Sequence, residues 1–314
     1  MYHFCTYFDK NFLYRGLALF YSLLERKIEF NLFILCLDSK SEKILKSLHY
    51  NQITLITLED IEFYFPDLLS AKKNRNKVEY FWTLSPHLPL YILKKNPELL
   101  SITYLDADLY FYNTPEYLFK DLAQKSVLII PHRLKGEDKK SEESWGKYNV
   151  GCLIFKNDHS SMKILDWWKN KCIEWCYYKV EKNRAGDQKY LDYFENISNN
   201  VYPSKLNGAG IGDWNIHYYD YHKVKDSILI KDSDEPVIFC HFNKIFILNK
   251  TGWILHKSSG FNRMKLLIQP YADSILRAIK EVQSIEHNFD NGIDKINFSI
   301  ILHGVLKLKI FKGK

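Results

Sequence analysis

Two hydrophobic periods alternate along the first third of this chain. Tyr2 to Tyr7 is apolar enough to read as a strand, whereas Phe12 to Arg26 repeats its apolar residues at helical spacing. Phe30 to Leu37 predicts a second strand, Ser41 to Leu48 a second helix and Ile53 to Leu58 a third strand. An aromatic-rich helix follows over Val78 to Leu93. Ser101 to Leu105 (SITYL) is short and apolar, as a buried strand should be. Ser126 to Ile130 and Tyr148 to Phe155 add strands, and Ser161 to Val180 a long helix. Strands in alternation with helices predict an α/β fold, a mixed and mainly parallel sheet flanked by helices. Gly136 to Gly146 (GEDKKSEESWG) has no period and is expected to be a surface loop, placed to act as a lid. Beyond Val201 the pattern loosens around Leu206-Asn207-Gly208-Ala209-Gly210. A strand over Val237 to Phe242 and a helix over Met264 to Val282 close the pattern. We expect one principal domain over residues 1–250 and a helical C-terminal extension over 251–314.

In an open α/β sheet, ligands gather beyond the carboxyl ends of strands. Asp9 follows the first strand and Asp106 ends the fourth, so both belong to that edge. Asp106 and Asp108 flank Ala107, and in extended chain they project from one face. Two adjacent carboxylates repel unless one takes a proton or a cation sits between them. A hard divalent ion that shares its other positions with a diphosphate satisfies them. Exposed strand-end aspartates beside the Asn113-Thr114-Pro115 turn are the competing account. A D-x-D phosphatase nucleophile would sit on the first strand and be followed by Thr or Val. Here the pair is on a later strand and Leu109 follows. Upstream, the basic run from Ala71 to Lys77 places Arg75 and Lys77 where a planar guanidinium or an ammonium can meet phosphate, unless the run is plain solvated surface.

Composition narrows the partners. The net charge of +7 favours anionic ligands but is spread too thinly to argue for nucleic acid, and no nucleic-acid motif accompanies it. Aromatic residues are abundant (22 Tyr, 20 Phe, 7 Trp) and supply platforms for bases and sugars as well as core. The six cysteines lie mostly in apolar segments, as reduced thiols of a cytosolic protein do. The start, MYHFCTYFDK, has no signal-peptide pattern, and no charge-free run is long enough to span a bilayer. From Ile296 onward there is no acidic residue, and four lysines follow Leu306. Interleaved with Leu308, Ile310 and Phe311, they suit an anionic membrane surface or a frayed tail. The expected location is the cytoplasm, peripheral to the inner face of the cell membrane.

Taken in order, Thr6-Tyr7-Phe8-Asp9-Lys10-Asn11-Phe12, Tyr104-Leu105-Asp106-Ala107-Asp108, Tyr148-Asn149-Val150-Gly151, Gly186-Asp187-Gln188-Lys189-Tyr190-Leu191, Trp214-Asn215 and His241 resemble the blocks of GT-A nucleotide-sugar glycosyltransferases. The layout is similar to glycosyltransferase family 8 and to bacterial surface-polysaccharide transferases, over about the first 245 residues. The resemblance implies a nucleoside site formed by Tyr7, Asp9, Asn11 and Phe12, although Asp9 or Asn11 also suits a helix cap. It implies a metal site of Asp106, Asp108 and His241, with Mn²⁺ preferred and Mg²⁺ the alternative; His241 equally suits a core strand. Asn149 and Gly151 resemble the wall of the sugar pocket, and Asp187 and Gln188 the pair beneath the donor sugar, although Gly186-Asp187 also fits a cap. Trp214 and Asn215 suit an acceptor-side wall, against buried core for Trp214. After His241 the chain reads Phe242-Asn243-Lys244 and departs from the family's glycine-lysine arrangement, which leaves Lys244 as the candidate for the diphosphate. The implied activity is sugar transfer from a nucleotide diphosphate sugar, UDP-linked, to a glycan or lipid-linked acceptor, with retention. The alternative is a catalytically silent nucleotide- or sugar-binding module.

Overall fold

A computed structural model describes residues 1–250, 253–257, 261–294 and 308–312. In it, β1 (Tyr2–Phe8), α1 (Leu13–Leu24), β2 (Phe30–Cys36), α2 (Ser39–Leu48) and β3 (Ile53–Thr57) follow the alternation read from the sequence to within two residues. Next come α3 (Leu58–Tyr64), α4 (Leu68–Asn74) and the 19-residue α5 (Lys77–Lys95). Asn76 caps α5 and Glu79 returns the bond to the Asn76 N–H, which fixes where this helix starts. The chain continues through β4 (Ser101–Leu105), β5 (Leu109–Phe111), α6 (Glu116–Leu122), β6 (Val127–Pro131), α7 (Ser141–Trp145), β7 (Tyr148–Lys156) and α8 (His159–Glu174). Short elements follow: β8 (Val180–Glu181), β9 (Arg184–Ala185), α9 (Phe194–Ile197), β10 (Val201–Pro203), β11 (Ala209–Gly212), β12 (Tyr221–Val224) and β13 (Ser227–Ile230). The chain closes with β14 (Phe239–His241), β15 (Ile245–Ile247), β16 (Trp253–Lys257), α10 (Phe261–Ile285) and β17 (Leu308–Lys312).

Seven strands form the main sheet in the order β10-β6-β7-β4-β1-β2-β3. Only β7 runs against its neighbours, so the sheet is mixed and mainly parallel, as expected. Side chains alternate between its two faces. From β1, Phe4 and Phe8 join a core with α1 and α10, whereas Cys5 joins the core under α5 and α8. β4 and β6 divide the same way, with Tyr104 and Ile129 on the α5 side and Leu105 and Ile130 on the α1 side. Helix α10 buries Leu267, Ile268, Tyr271, Ile275, Ile279 and Val282 in the α1 core, where Tyr21 and Tyr50 both donate to Glu281.

A second sheet, β11-β14-β5, packs at the carboxyl edge of the first. Its middle strand β14 pairs antiparallel with β5, so His241 lies opposite Leu109. The expected helix from Ser161 to Val180 stops at Glu174, because Trp175 is extended. Most of the basic segment from Ile296 lies outside the described residues; within it, β17 pairs with β16. No helix among the described residues is long and apolar enough to cross a membrane.

Candidate active site

A cavity of about 590 Å³ opens at the carboxyl ends of β1 and β4. Three segments distant in sequence meet there: the turn after β4, the end of β14 and the start of β7. The sequence suggested that Asp106 and Asp108 converge because they share one face of an extended strand. The geometry is different. Asp106, Ala107 and Asp108 form a tight turn between β4 and β5, closed by the Leu109 N–H donating to the Asp106 carbonyl at 3.2 Å. The Asp106 N–H donates to the Gly151 carbonyl at 2.9 Å, and the Phe242 N–H to the Asp108 carbonyl at 3.0 Å. Each end of the turn is thus tied to a different sheet, which fixes both carboxylates where the sheets meet.

His241 completes the group. Its Nε2 lies 3.0 Å from Asp108 Oδ1 and 3.6 Å from Asp106 Oδ2, and one ligand atom from each of the three residues falls within 4.8 Å of the others. Asn149 Oδ1 accepts from the Gly151 N–H at 2.9 Å and lies 3.1 Å from His241 Nδ1. An amide oxygen only accepts, so Nδ1 carries the proton and Nε2 faces the carboxylates. Burial works against charge on His241, but Asp108 and Asp106 outweigh it and push its pKa up to about 9. Asp108 is held below its ordinary value: burial opposes this, and the adjacent His241 prevails. Burial raises Asp106 despite the pull of His241, and the Asp108 charge adds to the rise. Without metal the group therefore shares a proton on the imidazole, a position a cation can take over. Two carboxylates and an imidazole of fixed tautomer are a chemically suitable donor set for a divalent ion. Gly151 leaves the necessary room, since a Cβ there would meet Asn149 Oδ1 at 2.6 Å and His241 Nδ1 at 2.7 Å.

Asp187 and Gln188 border the same cavity. Gln188 Oε1 accepts from Asn149 Nδ2 at 3.1 Å, while its Nε2 donates to the Trp145 carbonyl at 3.0 Å. Asn149 therefore couples His241 to Gln188. Asp187 is buried, and Ser85 Oγ donates to its Oδ2 at 2.6 Å. Ser85 in turn lies 3.0 Å from the Tyr7 hydroxyl, which donates because the Ser85 proton is already committed. Burial, reinforced by the Asp106 charge, pushes Asp187 up to about 7, with Ser85 pulling the other way. On the main chain, the Trp168 indole N–H holds the Asp187 carbonyl at 2.9 Å.

Tyr7, Asp9, Asn11 and Phe12 line the same cavity. Asp9 accepts from the Asn11 N–H at 2.9 Å, from Asn11 Nδ2 at 3.0 Å and from Lys77 Nζ at 2.6 Å. Asp9 does not cap α1; that helix has no side-chain cap. The exposed Phe12 ring has the Arg15 guanidinium 4.9 Å from its centroid.

Gly151, expected in the sugar-pocket wall, is not in the cavity lining and packs against Asn149 and His241, and four further expected residues stand elsewhere. Arg75 is buried away from the cavity, donating to Thr83 Oγ1 at 2.6 Å and to the Ile173 carbonyl at 2.7 Å. It holds α5 against α8, and Lys77 is the residue of that run that reaches the cavity. Asn215 is fully buried and donates to the His132 carbonyl at 2.9 Å and the Gly210 carbonyl at 3.1 Å, which fixes the turn after β11. Trp214 packs edge-on against His241, with centroids 5.4 Å apart, so it backs the histidine and does not line the cavity. Lys244 is exposed outside the lining, which its neighbour Asn243 joins instead. The sequence reading also missed Ser85, Tyr104, Trp82 and Trp145. Tyr104 was within reach, because it sits two residues before Asp106 and donates to that carboxylate at 2.7 Å. Ser85 meets Asp187 across 102 residues and leaves no local signal.

No family model matches the chain. It is 31% identical over 300 residues to the uncharacterized protein YfnF of Bacillus subtilis strain 168, covering 93% of this chain and 97% of that one. The uncharacterized YfnD of the same strain is 26% identical over 296 residues, covering 93% and 94%. Among solved structures, the galactosyltransferase LgtC in complex with donor and acceptor sugar analogues aligns with a TM-score of 0.51 at 13% identity, over 95% of this chain and 98% of that chain. An active-site mutant of LgtC aligns with a TM-score of 0.52 at 15% identity, over 77% and 87%. The chain belongs to the family of Bacillus subtilis YfnF, and its fold is that of the GT-A glycosyltransferases.

Proposed function

We propose that the chain is a metal-dependent glycosyltransferase that moves a sugar from a UDP-linked donor to a glycan or lipid-linked acceptor, with retention. The observation that carries the proposal is the convergence of Asp106, Asp108 and His241 on the cavity that Asp187 and Gln188 also border. Asp106, Asp108 and His241 would hold the cation, Mn²⁺ in preference to Mg²⁺ because of the imidazole. When bound, it supplies positive charge to the departing diphosphate. Asp9 and Asn11 would recognise the base, the carboxylate accepting its N–H once Lys77 swings away, and Phe12 would stack on it. Lys77, so released, would bring its charge to the phosphates. Asp187 would accept hydrogen bonds from the sugar hydroxyls, and Gln188, held by Asn149 and the Trp145 carbonyl, would face the anomeric carbon.

Retention fits this arrangement, since Asp187 is buried and turned to Ser85 and is badly placed to activate an acceptor. The reading also covers an assembly role in cell-surface polysaccharide, at the inner face of the membrane, supported by the lysines that follow Leu306. Residues 1–250 would then form the transferase unit, with 251–314 as its extension. The test is to incubate purified protein and Mn²⁺ with UDP-, GDP-, CDP- and ADP-sugars and follow released nucleoside diphosphate. One donor class should be consumed, and Asp108→Ala should abolish the release. No consumption of any donor would overturn enzymatic transfer; binding without turnover would instead favour the silent module. NMR of the product would reject retention if the anomeric configuration were inverted.

A further inference from the structure

Beside the cavity stands a group of aromatic rings that the donor reading leaves unused. Trp82 on α5 and Trp145 at the end of α7 both line the cavity. Tyr178, in the segment after α8, stacks on Trp82 with centroids 5.4 Å apart and an interplanar angle of 24°. It also lies 6.4 Å from Trp145. Large aromatic rings normally end up in cores, yet Tyr178 is 68% exposed and Trp145 41%. Their positions are fixed by the fold. The Tyr178 N–H donates to the α5 capping residue Glu79 at 2.8 Å, and the Trp145 carbonyl holds Gln188. Lys189 Nζ donates to the Glu143 and Ser144 carbonyls, and the Lys147 N–H donates to Asp192 at 2.8 Å, so the segment that carries Trp145 is fastened down. Gly186, at φ +54°, lets the chain pass beneath Trp82, where a Cβ would stand 3.2 Å from the indole.

We infer that Trp82, Trp145 and Tyr178 form the acceptor subsite and that it takes the apolar face of a pyranose ring, so that the acceptor's terminal unit is a saccharide. The inference rests on the proposed transfer, which puts the reacting carbon at Gln188. A platform beginning at the Trp145 carbonyl–Gln188 bond is adjacent to that point. A sugar ring offers axial C–H groups to a flat aromatic surface and keeps its hydroxyls free for water and for attack. A lipid tail would need an enclosed apolar channel, and these rings instead form an open rim.

The test uses saturation-transfer NMR on protein loaded with UDP and Mg²⁺, with methyl pyranosides of glucose, galactose, mannose, xylose and N-acetylglucosamine as probes. At least one pyranoside should receive saturation, concentrated on the protons of one ring face. Trp145→Ala and Tyr178→Ala should each weaken that contact about tenfold, with Trp145→Phe restoring part of it. Tyr178→Ala should keep wild-type UDP affinity and donor hydrolysis, because Tyr178 lies outside the cavity lining and makes no contact with Gln188 or the metal-site residues. Saturation unchanged in the variants, or no saturation of any pyranoside in protein that binds UDP, would overturn the inference while leaving the transferase reading intact. Failure to bind UDP at all would overturn both.

Discussion

Asp187 supplies a stability prediction whose sign follows from its surroundings. Its carboxyl is buried and its pKa stands at about 7, against an ordinary value near 3.8. An acid whose pKa rises on folding costs nothing when both states are protonated. As the pH climbs past the unfolded value, the unfolded chain ionises and the folded one does not, so stability falls until the folded group also ionises near pH 7. A gap of about 3 units amounts to about 4 kcal/mol by pH 8. Asp187→Asn keeps an acceptor for Ser85 and cannot ionise. In metal-free, nucleotide-free protein it should therefore be more stable than wild type by about 4 kcal/mol at pH 8, by about 1 to 2 kcal/mol at pH 5 and by almost nothing at pH 3. Urea unfolding at the three pH values measures this directly. The same variant should lose sugar transfer, so the site would trade stability for chemistry. A stability change that does not vary with pH, or a loss at pH 8, would refute the reasoning that the buried carboxyl is strained.

Gly151→Ala should weaken Mn²⁺ binding about 10- to 100-fold while the protein stays folded, because the new methyl displaces Asn149 or His241; calorimetry with Mn²⁺ alone checks it, and unchanged affinity would contradict the geometry. Since Asp108 and Asp106 push the His241 pKa up to about 9, metal entry must expel its proton, so Mn²⁺ affinity should rise by about tenfold per pH unit up to pH 9 and then level off. Arg75→Ala should cost about 2 to 3 kcal/mol of stability, by stranding the Ile173 carbonyl, yet leave UDP affinity unchanged; a large loss of UDP affinity in folded protein would restore Arg75 to the nucleotide site.

The fold was legible where hydrophobic periodicity is strong. The strands of the main sheet other than β10 and the helices α1, α2, α5 and α10 fall close to their predicted spans, because their apolar faces pack into one of two cores. The small sheet was partly hidden, since β5 and β11 have three and four residues and acquire their pairing only from β14. Within the site, the D-x-D pair announced itself by charge in an apolar run, but the turn that makes it converge depends on bonds to Gly151 and Phe242 from remote strands. Arg75 and Trp214 misled for one reason: residue type states what a side chain can do, whereas α5, α8 and β14 decide which way it points. The irregular loop expected from Gly136 to Gly146 is a 3₁₀ turn and a short helix, bonded to Gln188 and Lys189.

The central claim is that Asp106, Asp108 and His241 join a divalent ion to a nucleoside diphosphate. Calorimetric titration of UDP into the protein, with and without Mn²⁺, tests it most directly, with GDP, CDP and ADP as controls. The account predicts tight UDP binding that requires Mn²⁺ and disappears in both Asp106→Ala and His241→Ala. Binding that is indifferent to the metal, or that survives both substitutions, would contradict it.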